Sequence, residues 1–126
     1  MLTRGTAPPP GVKLVRTLEG HNDYIRSVVF DPQDGILASG SQDNTVKFWE
    51  VRRGKLIRTH RVHQSTVWSV AFDPQGEMLA SGSGDKTVRV WDATTGREVL
   101  GQHGHTERCG CVAFSPDGRR LASASA

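Results

Sequence analysis

The sequence has little of what marks secreted, membrane or cofactor-binding proteins. It contains two cysteines, it has no apolar run that approaches the length needed to cross a bilayer, and no glycine-rich phosphate loop leads into a helix. The stretch from Met1 to Gly11 contains Arg4 but no apolar segment behind it, so it does not resemble a secretory signal. We expect residues 1–11 to be a flexible arm, and the protein to be soluble, cytoplasmic and without a cofactor.

Charge of one sign is not concentrated either, because the net charge is +3 and basic residues are scattered among acidic ones. The densest basic cluster comprises Arg52, Arg53, Lys55, Arg58 and Arg61. Its field could attract an anionic partner, but no aromatic residues that could stack on bases alternate with these charges. A solvated outer strand is therefore the preferred interpretation, and we do not expect nucleic-acid binding.

The two cysteines, Cys109 and Cys111, lie two apart in a predicted strand, so both are expected on one face. That spacing does not suit a disulfide, and a single Cys-x-Cys lacks the second ligand pair of a zinc site. We expect both to be buried, reduced thiols. His60 and His103 are expected to be solvated loop residues or repeat spacers, so no metal site is predicted.

One stretch recurs and organises the chain. Ala80 to Asp92 reads as a strand, a tight turn at Gly84-Asp85-Lys86 and a second strand, with small residues where the backbone bends. The same hairpin occurs over residues 38–50 and begins again at residue 122. The sequence therefore predicts a repeat protein.

Equivalent landmarks recur every 42 residues: His21, His63 and His105, then Phe30, Phe72 and Phe114, and finally Trp49 and Trp91. A fixed period in the range of about 40–45 residues, with Gly-His early and Trp-Asp late, is typical of a four-stranded propeller blade. On these marks the sequence resembles the WD-repeat (WD40) family over residues 12–126. It departs from the pattern at Val62-His63, in place of Gly-His, and at Trp49-Glu50, in place of Trp-Asp.

The resemblance implies an all-β fold of antiparallel four-stranded WD40-type blades, forming about two and a half blades of an incomplete β-propeller, an open arc. One blade is predicted over 24–59, with strands 24–30, 36–41, 45–51 and 55–59. The second is predicted over 66–100, with strands 66–72, 78–83, 87–91 and 97–100. A partial blade over 108–126 has strands 108–114 and 119–125, and residues 12–18 are predicted to be the outer strand of a preceding blade.

The resemblance also implies a structural hydrogen-bond set of Trp, Ser, His and Asp in each copy. Its chemistry is self-consistent, because an indole N–H only donates, a hydroxyl donates and accepts, and an imidazole can bridge a hydroxyl to a carboxylate. Ser41 and Ser83 are the alternative hydroxyls. The predicted members are His21, Ser39, Asp43 and Trp49 in the first copy, His63, Ser81, Asp85 and Trp91 in the second, and His105 and Ser123 in the third.

A Ser-His-Asp set also invites a hydrolase hypothesis, since the same residue types build nucleophilic sites. Such a site requires an exposed serine and is usually unique in a domain. Here the set recurs with the repeat and is tied to a tryptophan, as expected of a unit that stacks on its neighbours. We therefore predict no catalytic residues and no enzymatic activity.

The resemblance implies a rigid disc that binds other proteins or peptides through loops on one rim. Trp68, Tyr24 and Arg26 are the residue types that dominate interface hot spots, although Trp68 could instead cover the inner strand of a neighbouring blade. By resemblance, the partner-facing positions are Tyr24, Arg26, Gln42, Thr66, Trp68, Gly84 and Arg108, followed by Gly110 and Ala126.

A propeller removes its exposed faces by closing with about 4–8 blades, which the predicted blades cannot do alone. We expect a fragment of a longer WD-repeat protein or, alternatively, a partial propeller that self-associates through its open blade faces. Two function hypotheses follow. The first is a non-enzymatic protein–protein interaction scaffold; the alternative is a regulatory or sensing segment of a larger enzyme, such as a prokaryotic NTPase or kinase.

Overall fold

The computed structural model describes residues 16–33, 35–102 and 104–125, and all regular structure in these ranges is β-strand. None of them forms a helix long and apolar enough to cross a membrane. The strands are β1 Ile25–Phe30, β2 Ile36–Ser41, β3 Val46–Glu50, β4 Lys55–His60, β5 Val67–Phe72, β6 Met78–Ser83, β7 Val88–Asp92, β8 Glu98–Gln102, β9 Cys109–Phe114 and β10 Leu121–Ser125.

The strands form sheets in chain order, and every pairing is antiparallel. β1 to β4 make one four-stranded sheet, β5 to β8 make a second, and β9 pairs with β10. These sheets are the blades, so the predicted all-β fold of antiparallel four-stranded units is confirmed. The ends of these strands differ from the predicted ends by at most two residues.

The recurring hairpin turns owe their shape to one residue in the left-handed conformation. Asn44 has φ 74° and Lys86 has φ 72°, a region that asparagine tolerates better than most residues. Backbone hydrogen bonds close the turns, from Ser41 N to Thr45 O and from Ser83 N to Thr87 O, each 3.2 Å long. The turn places Asp43 and Asp85 at the same edge of their blades.

Adjacent blades bury apolar side chains against one another. Ala38, Val46 and Phe48 of the first blade pack in one cluster with Val67 and Trp91 of the second. Each Val, Leu or Phe side chain that is fully buried in this way stabilises the fold by about 1.5–3 kcal/mol. A similar cluster joins the second blade to β9.

A hydrogen bond repeats at each blade junction. The backbone N–H of Val70 donates to Ser27 Oγ at 3.2 Å, and that of Val112 donates to Ser69 Oγ at 3.1 Å. The first strand of each sheet, β1, β5 or β9, is its inner strand. Ser27 lies in β1 and Ser69 in β5, and both point toward the following blade. The stack of blades is therefore held by polar contacts between inner strands as well as by apolar packing.

The prediction that both cysteines are buried on one face is wrong. Each inner strand has a register shift near its start. In the third sheet Cys109 pairs with Ser125 and Cys111 with Ala124, so β9 has one extra residue between the cysteines, and such a bulge breaks the two-residue alternation. Cys109 faces the preceding blade and is 0% exposed, whereas Cys111 occupies the position of Ser69 and is exposed. Both are free thiols.

Glycine at Gly40 and Gly82 permits the close approach of neighbouring blades. A Cβ at Gly40 would lie 2.7 Å from Val67 Cγ1, and one at Gly82 would lie 2.7 Å from Cys109 Sγ. Such distances are shorter than real contacts of a Cβ atom, so the inner strand of the next blade would have to move. These two positions set the spacing between blades.

The segment that precedes β1 covers part of the first blade. Leu18 is 8% exposed and packs with Leu37 and Trp49. Residues 16–18 are not in a strand, so the predicted outer strand over 12–18 is absent from its described part. The described residues do not include residues 12–15 of that predicted strand, the predicted arm over 1–11, His103 or Ala126.

The prediction that His60 is a solvated loop residue is wrong. It ends β4, and its ring centroid lies 4.4 Å from that of Trp91 and 5.5 Å from that of Phe48. Burial lowers the pKa of His60, with a smaller effect in the same direction from Arg58. His60 therefore belongs to the apolar junction between the first two blades.

Candidate protein-binding rim

The edge of the blades at which β1, β5 and β9 begin carries His21, His63 and His105, and is here called the histidine rim. In the first blade, Trp49 Nε1 donates to Ser39 Oγ at 2.9 Å, and the same hydroxyl lies 2.6 Å from His21 Nε2. His21 Nδ1 lies 2.8 Å from Asp43 Oδ2. The structure thus brings together all four residues of the predicted set.

The second blade repeats this chain of contacts. Trp91 Nε1 donates to Ser81 Oγ at 3.3 Å, Ser81 Oγ lies 2.7 Å from His63 Nε2, and His63 Nδ1 lies 2.9 Å from Asp85 Oδ2. Because the indole can only donate, the Ser81 hydroxyl is left to donate to Nε2, and Nδ1–H donates to the carboxylate. The network therefore fits a neutral imidazole.

Burial also favours the neutral ring, since it lowers the pKa of both His21 and His63, with the paired aspartates opposing that shift. Burial by itself would raise the pKa of Asp85, but hydrogen bonds from Thr87, His63 and the Gln64 backbone outweigh it and lower that pKa to about 2. Asp43 is held well below its usual pKa in the same way. The aspartates are therefore anions that accept several donors.

Two residues of the network were missed by the sequence reasoning. Thr45 Oγ1 donates to Asp43 Oδ1, and Thr87 Oγ1 donates to Asp85 Oδ1, each at 2.5 Å. Both threonines are buried, at 2% and 4% exposure. The signal was present, because both copies contain Asp-x-Thr at the repeat interval.

The alternative hydroxyls have a different place. Ser41 Oγ donates to Tyr24 O at 2.9 Å and accepts from Asp43 N at 3.1 Å. Ser83 Oγ likewise accepts from Asp85 N at 3.1 Å. These hydroxyls link the hairpin turn to backbone carbonyls just before the inner strand, those of Tyr24 and Ser65.

The third copy retains only part of the set among the described residues. His105 Nε2 lies 2.8 Å from Ser123 Oγ, and this contact is exposed to solvent. In the other two blades, Ser39 and Ser81 are 1% and 0% exposed. A substrate could not reach these two hydroxyls, so the geometry of the complete sets suits a structural role and not nucleophilic attack.

A row of alternating aromatic and cationic side chains crosses the same rim. The Arg26 guanidinium carbon lies 5.5 Å from the ring centroid of Tyr24 and 5.1 Å from that of Trp68. The guanidinium carbon of Arg108 lies 4.7 Å from the Trp68 centroid. These are cation–π distances, and the row spans all three blades. The structure therefore joins four of the predicted partner-facing residues into one surface.

The other predicted positions surround this row. Arg26 Nη2 donates to Gln42 Oε1 at 2.5 Å, which fixes one end of the guanidinium. A Cβ at Gly84 would lie 3.4 Å from Trp68 Nε1 and 2.6 Å from Ser65 Oγ, so glycine makes room for the indole. Thr66 contributes its backbone carbonyl, which accepts from Gly84 N at 2.9 Å.

Gly110 lies in β9 and is exposed, and a Cβ at this position would meet open space. Ala126 lies outside the described residues. Within residues 16–33, 35–102 and 104–125, no cluster of His, Cys, Asp and Glu side chains could hold a metal ion.

The comparisons with known proteins agree with this architecture. The family model described as "WD domain, G-beta repeat" matches residues 12–50, 54–92 and 96–126. The second match runs from just before β4 to the end of β7, so one sequence repeat combines the outer strand of one blade with three strands of the next. This offset ties neighbouring blades together through the covalent chain.

Curated relatives match only part of the chain. Similar proteins are the transcriptional repressor rco-1 of Neurospora crassa, 43% identical over 49 residues, and the pleiotropic regulator PRL2 of Arabidopsis thaliana, 45% identical over 42 residues. A ribosome biogenesis protein BOP1 homolog of Drosophila virilis is 42% identical over 52 residues. The matches cover 39%, 33% and 41% of this chain, but only 8%, 9% and 6% of those proteins.

Solved structures match over a greater length. The chain titled "Structure of U3-55K" and that of the RRP9 WD40 repeats each align with a TM-score of 0.82 and 27% identity, covering 86% of this chain. This chain spans 35% and 34% of theirs. Given the three family matches, the repeated Trp-Ser-His-Asp networks and the stacked four-stranded sheets, the chain belongs to the WD-repeat family.

Proposed function

We propose that this chain is a non-enzymatic protein-interaction scaffold, and that partner proteins bind to its histidine rim. The observation that carries the proposal is the row formed by Tyr24, Arg26, Trp68 and Arg108, in which the half-buried Trp68 lies among exposed phenol and guanidinium groups. Tyr24 is 70% exposed. Trp, Tyr and Arg are the residues that contribute most to binding energy at protein interfaces.

These side chains are supported by strands that pair within their own blade and contact the inner strand of a neighbouring blade. The Trp-Ser-His-Asp networks hold the turns next to them. Side chains on such a support lose little conformational entropy on binding. The names of the relatives, a repressor, a regulator and a ribosome biogenesis protein, are in keeping with a scaffold role.

The test is affinity capture with the immobilised chain from an extract of the cells that produce it. Trp68→Ala and Arg26→Ala are expected to lose the captured proteins, while Arg97→Ala retains them. Arg97 is exposed in the turn before β8, at the edge of the blades opposite the histidine rim. Circular dichroism verifies that each variant is folded. Capture of the same proteins by all variants would contradict the proposal.

We further propose that another WD-repeat blade of a longer chain covers the outer face of the first blade. On that face Ile25 and Val28 are each 38% exposed and Phe30 is 54% exposed, whereas the equivalent Val67 and Val70 are 0% and 5% exposed under the neighbouring blade. With this face uncovered, the isolated chain is expected to associate, so that light scattering gives a molar mass above that of one chain. A compact monomer would contradict the proposal. The alternative, a regulatory segment of a larger enzyme, stays a prediction.

A further inference from the structure

We infer that the partner segment bound by the histidine rim is acidic, with carboxylates that bridge Arg26 and Arg108 across Trp68. The inference rests on the proposed function, because it names the chemical class of the partner for the same surface. It follows from an imbalance between hydrogen-bond donors and acceptors in the row.

The row offers donors almost exclusively. Arg26 donates one of its N–H groups to Gln42, which leaves the other donors of the guanidinium available. Arg108 stacks on Trp68 and makes no side-chain hydrogen bond with a described residue, and the same holds for Trp68 Nε1. Stacking uses the faces of a guanidinium and leaves its N–H edge free to bind a carboxylate.

The geometry suits an extended acidic peptide. The two guanidinium carbons lie 5.1 and 4.7 Å from the same indole centroid, which limits their separation to the sum of those distances. Alternate side chains of an extended strand lie on one face about 7 Å apart. Carboxylates at positions i and i+2 of a bound strand could therefore contact Arg26 and Arg108 together.

The hairpin carboxylates already accept hydrogen bonds and are not free acceptors for the row. Asp43 and Asp85 have their oxygens occupied by donors within the hairpins. Lys86, in the turn next to Trp68, adds another exposed cation. Asp23, next to Tyr24, and Glu107, next to Arg108, are exposed and oppose an anionic ligand. Replacing Glu107 by a neutral residue should therefore strengthen the binding of an acidic ligand, whereas replacing an arginine of the row should weaken it.

Single-stranded RNA is the other anionic partner to consider, and the row suits it less well. Arg26 lies in β1 and Arg108 directly precedes β9, and these two strands both contact β5, which carries Trp68. Two guanidinium groups therefore lie within cation–π distance of the same indole. Base stacking requires a free aromatic face.

The experiment measures fluorescence anisotropy of a labelled peptide of alternating Glu and Ala with the full chain. The matched probes are the same peptide with Gln for Glu and a labelled uridine oligonucleotide. We expect the Glu peptide to bind, the Gln peptide to bind at least about tenfold more weakly, and added salt to weaken binding. Arg26→Gln and Arg108→Gln should each weaken the Glu peptide about tenfold.

Two control variants separate local contacts from total charge. Arg97→Gln removes the same charge from the opposite edge and should leave the affinity within about twofold. Glu107→Gln should strengthen binding of the Glu peptide. Equal affinity for Glu and Gln peptides, or equal loss in Arg97→Gln and Arg26→Gln, overturns the inference. Tighter binding of the oligonucleotide than of the Glu peptide overturns it in favour of RNA.

Failure of this inference is distinguishable from failure of the proposed function. Proteins whose capture depends on Trp68, together with no preference for the Glu peptide, would leave the scaffold proposal standing and remove the acidic partner. Capture that is unaffected by Trp68→Ala would remove the scaffold proposal, whatever the peptides show.

Discussion

Replacing Asp85 by alanine should destabilise the protein strongly, because one carboxylate satisfies four donors. His63 Nδ1 and Gln64 N contact Oδ2 at 2.9 and 3.1 Å, while Thr87 N and Thr87 Oγ1 donate to Oδ1 at 3.0 and 2.5 Å. The His63 side chain is 0% exposed and Thr87 is 4% exposed. Water therefore cannot replace most of these bonds without opening the hairpin.

Each buried donor that is left without a partner costs about 1–3 kcal/mol. The Gln64 N–H is exposed and can bind water. We therefore expect Asp85→Ala to lower the free energy of unfolding by about 2–4 kcal/mol. Asp85→Asn should lose nearly as much, because its amide keeps one acceptor oxygen and turns an NH₂ group toward the remaining donors.

The assay is urea unfolding followed by tryptophan fluorescence, with Asp117→Ala as the matched control. Asp117 accepts from Ser115 Oγ and Arg119 N, but this turn is exposed to solvent. Its replacement should cost less than about 1 kcal/mol. If Asp85→Ala is no more destabilised than Asp117→Ala, the network does not hold the blade as argued.

Acid provides an independent test of the same carboxylate. The pKa of Asp85 is about 2 in the folded protein, below its ordinary value of 3.8. A depressed carboxylate pKa stabilises the folded state above the unfolded pKa, so this contribution is lost as pH falls from 3.8 toward 2. The wild-type chain should lose stability across that interval more steeply than Asp85→Ala.

The remaining predictions concern other sites. Gly82→Ala should lower the free energy of unfolding by about 1–3 kcal/mol, because the new Cβ overlaps Cys109 Sγ. Gly110→Ala places its Cβ in open space and should be nearly neutral. Urea unfolding measures both variants. Burial lowers the pKa of His63 below 6.5, so the unfolded chain binds more protons than the folded chain at acidic pH. The free energy of unfolding should therefore fall as pH drops below 6.5. A free energy of unfolding that is constant between pH 7 and 5 would contradict this. Iodoacetamide should alkylate Cys111 in the folded protein but Cys109 only after denaturation, as mass spectrometry of the modified peptides will show.

The repeat made the blade architecture readable from the amino-acid order. A period of 42 residues, with Trp49 and Trp91 at the same point of each hairpin, reflects contacts that lie within one blade or between adjacent blades. Alternation of side chains and turn residues fixes strands over short distances. This is why the strand positions and the members of the Trp-Ser-His-Asp set could be predicted.

The prediction named Ser39 as the hydroxyl of the set but left Ser41 open as an alternative, because the order of residues does not separate them. Both are buried serines of one strand, two apart, and both face the same side of the sheet. Only the position of the Trp49 indole shows that Ser39 is the one that links it to His21. Ser41 is directed to the backbone carbonyl of Tyr24.

The amino-acid order thus fixed the kind of unit that this chain repeats, since a blade is made of neighbours along the chain. Packing of the blades fixed the rest. A bulge near the start of the inner strand put Cys109 inside and Cys111 outside. The row from Tyr24 through Arg26 and Trp68 to Arg108 exists only because successive blades place residues far apart in sequence within reach of one another. Such contacts depend on the distance and rotation between blades, which no local pattern of residues encodes.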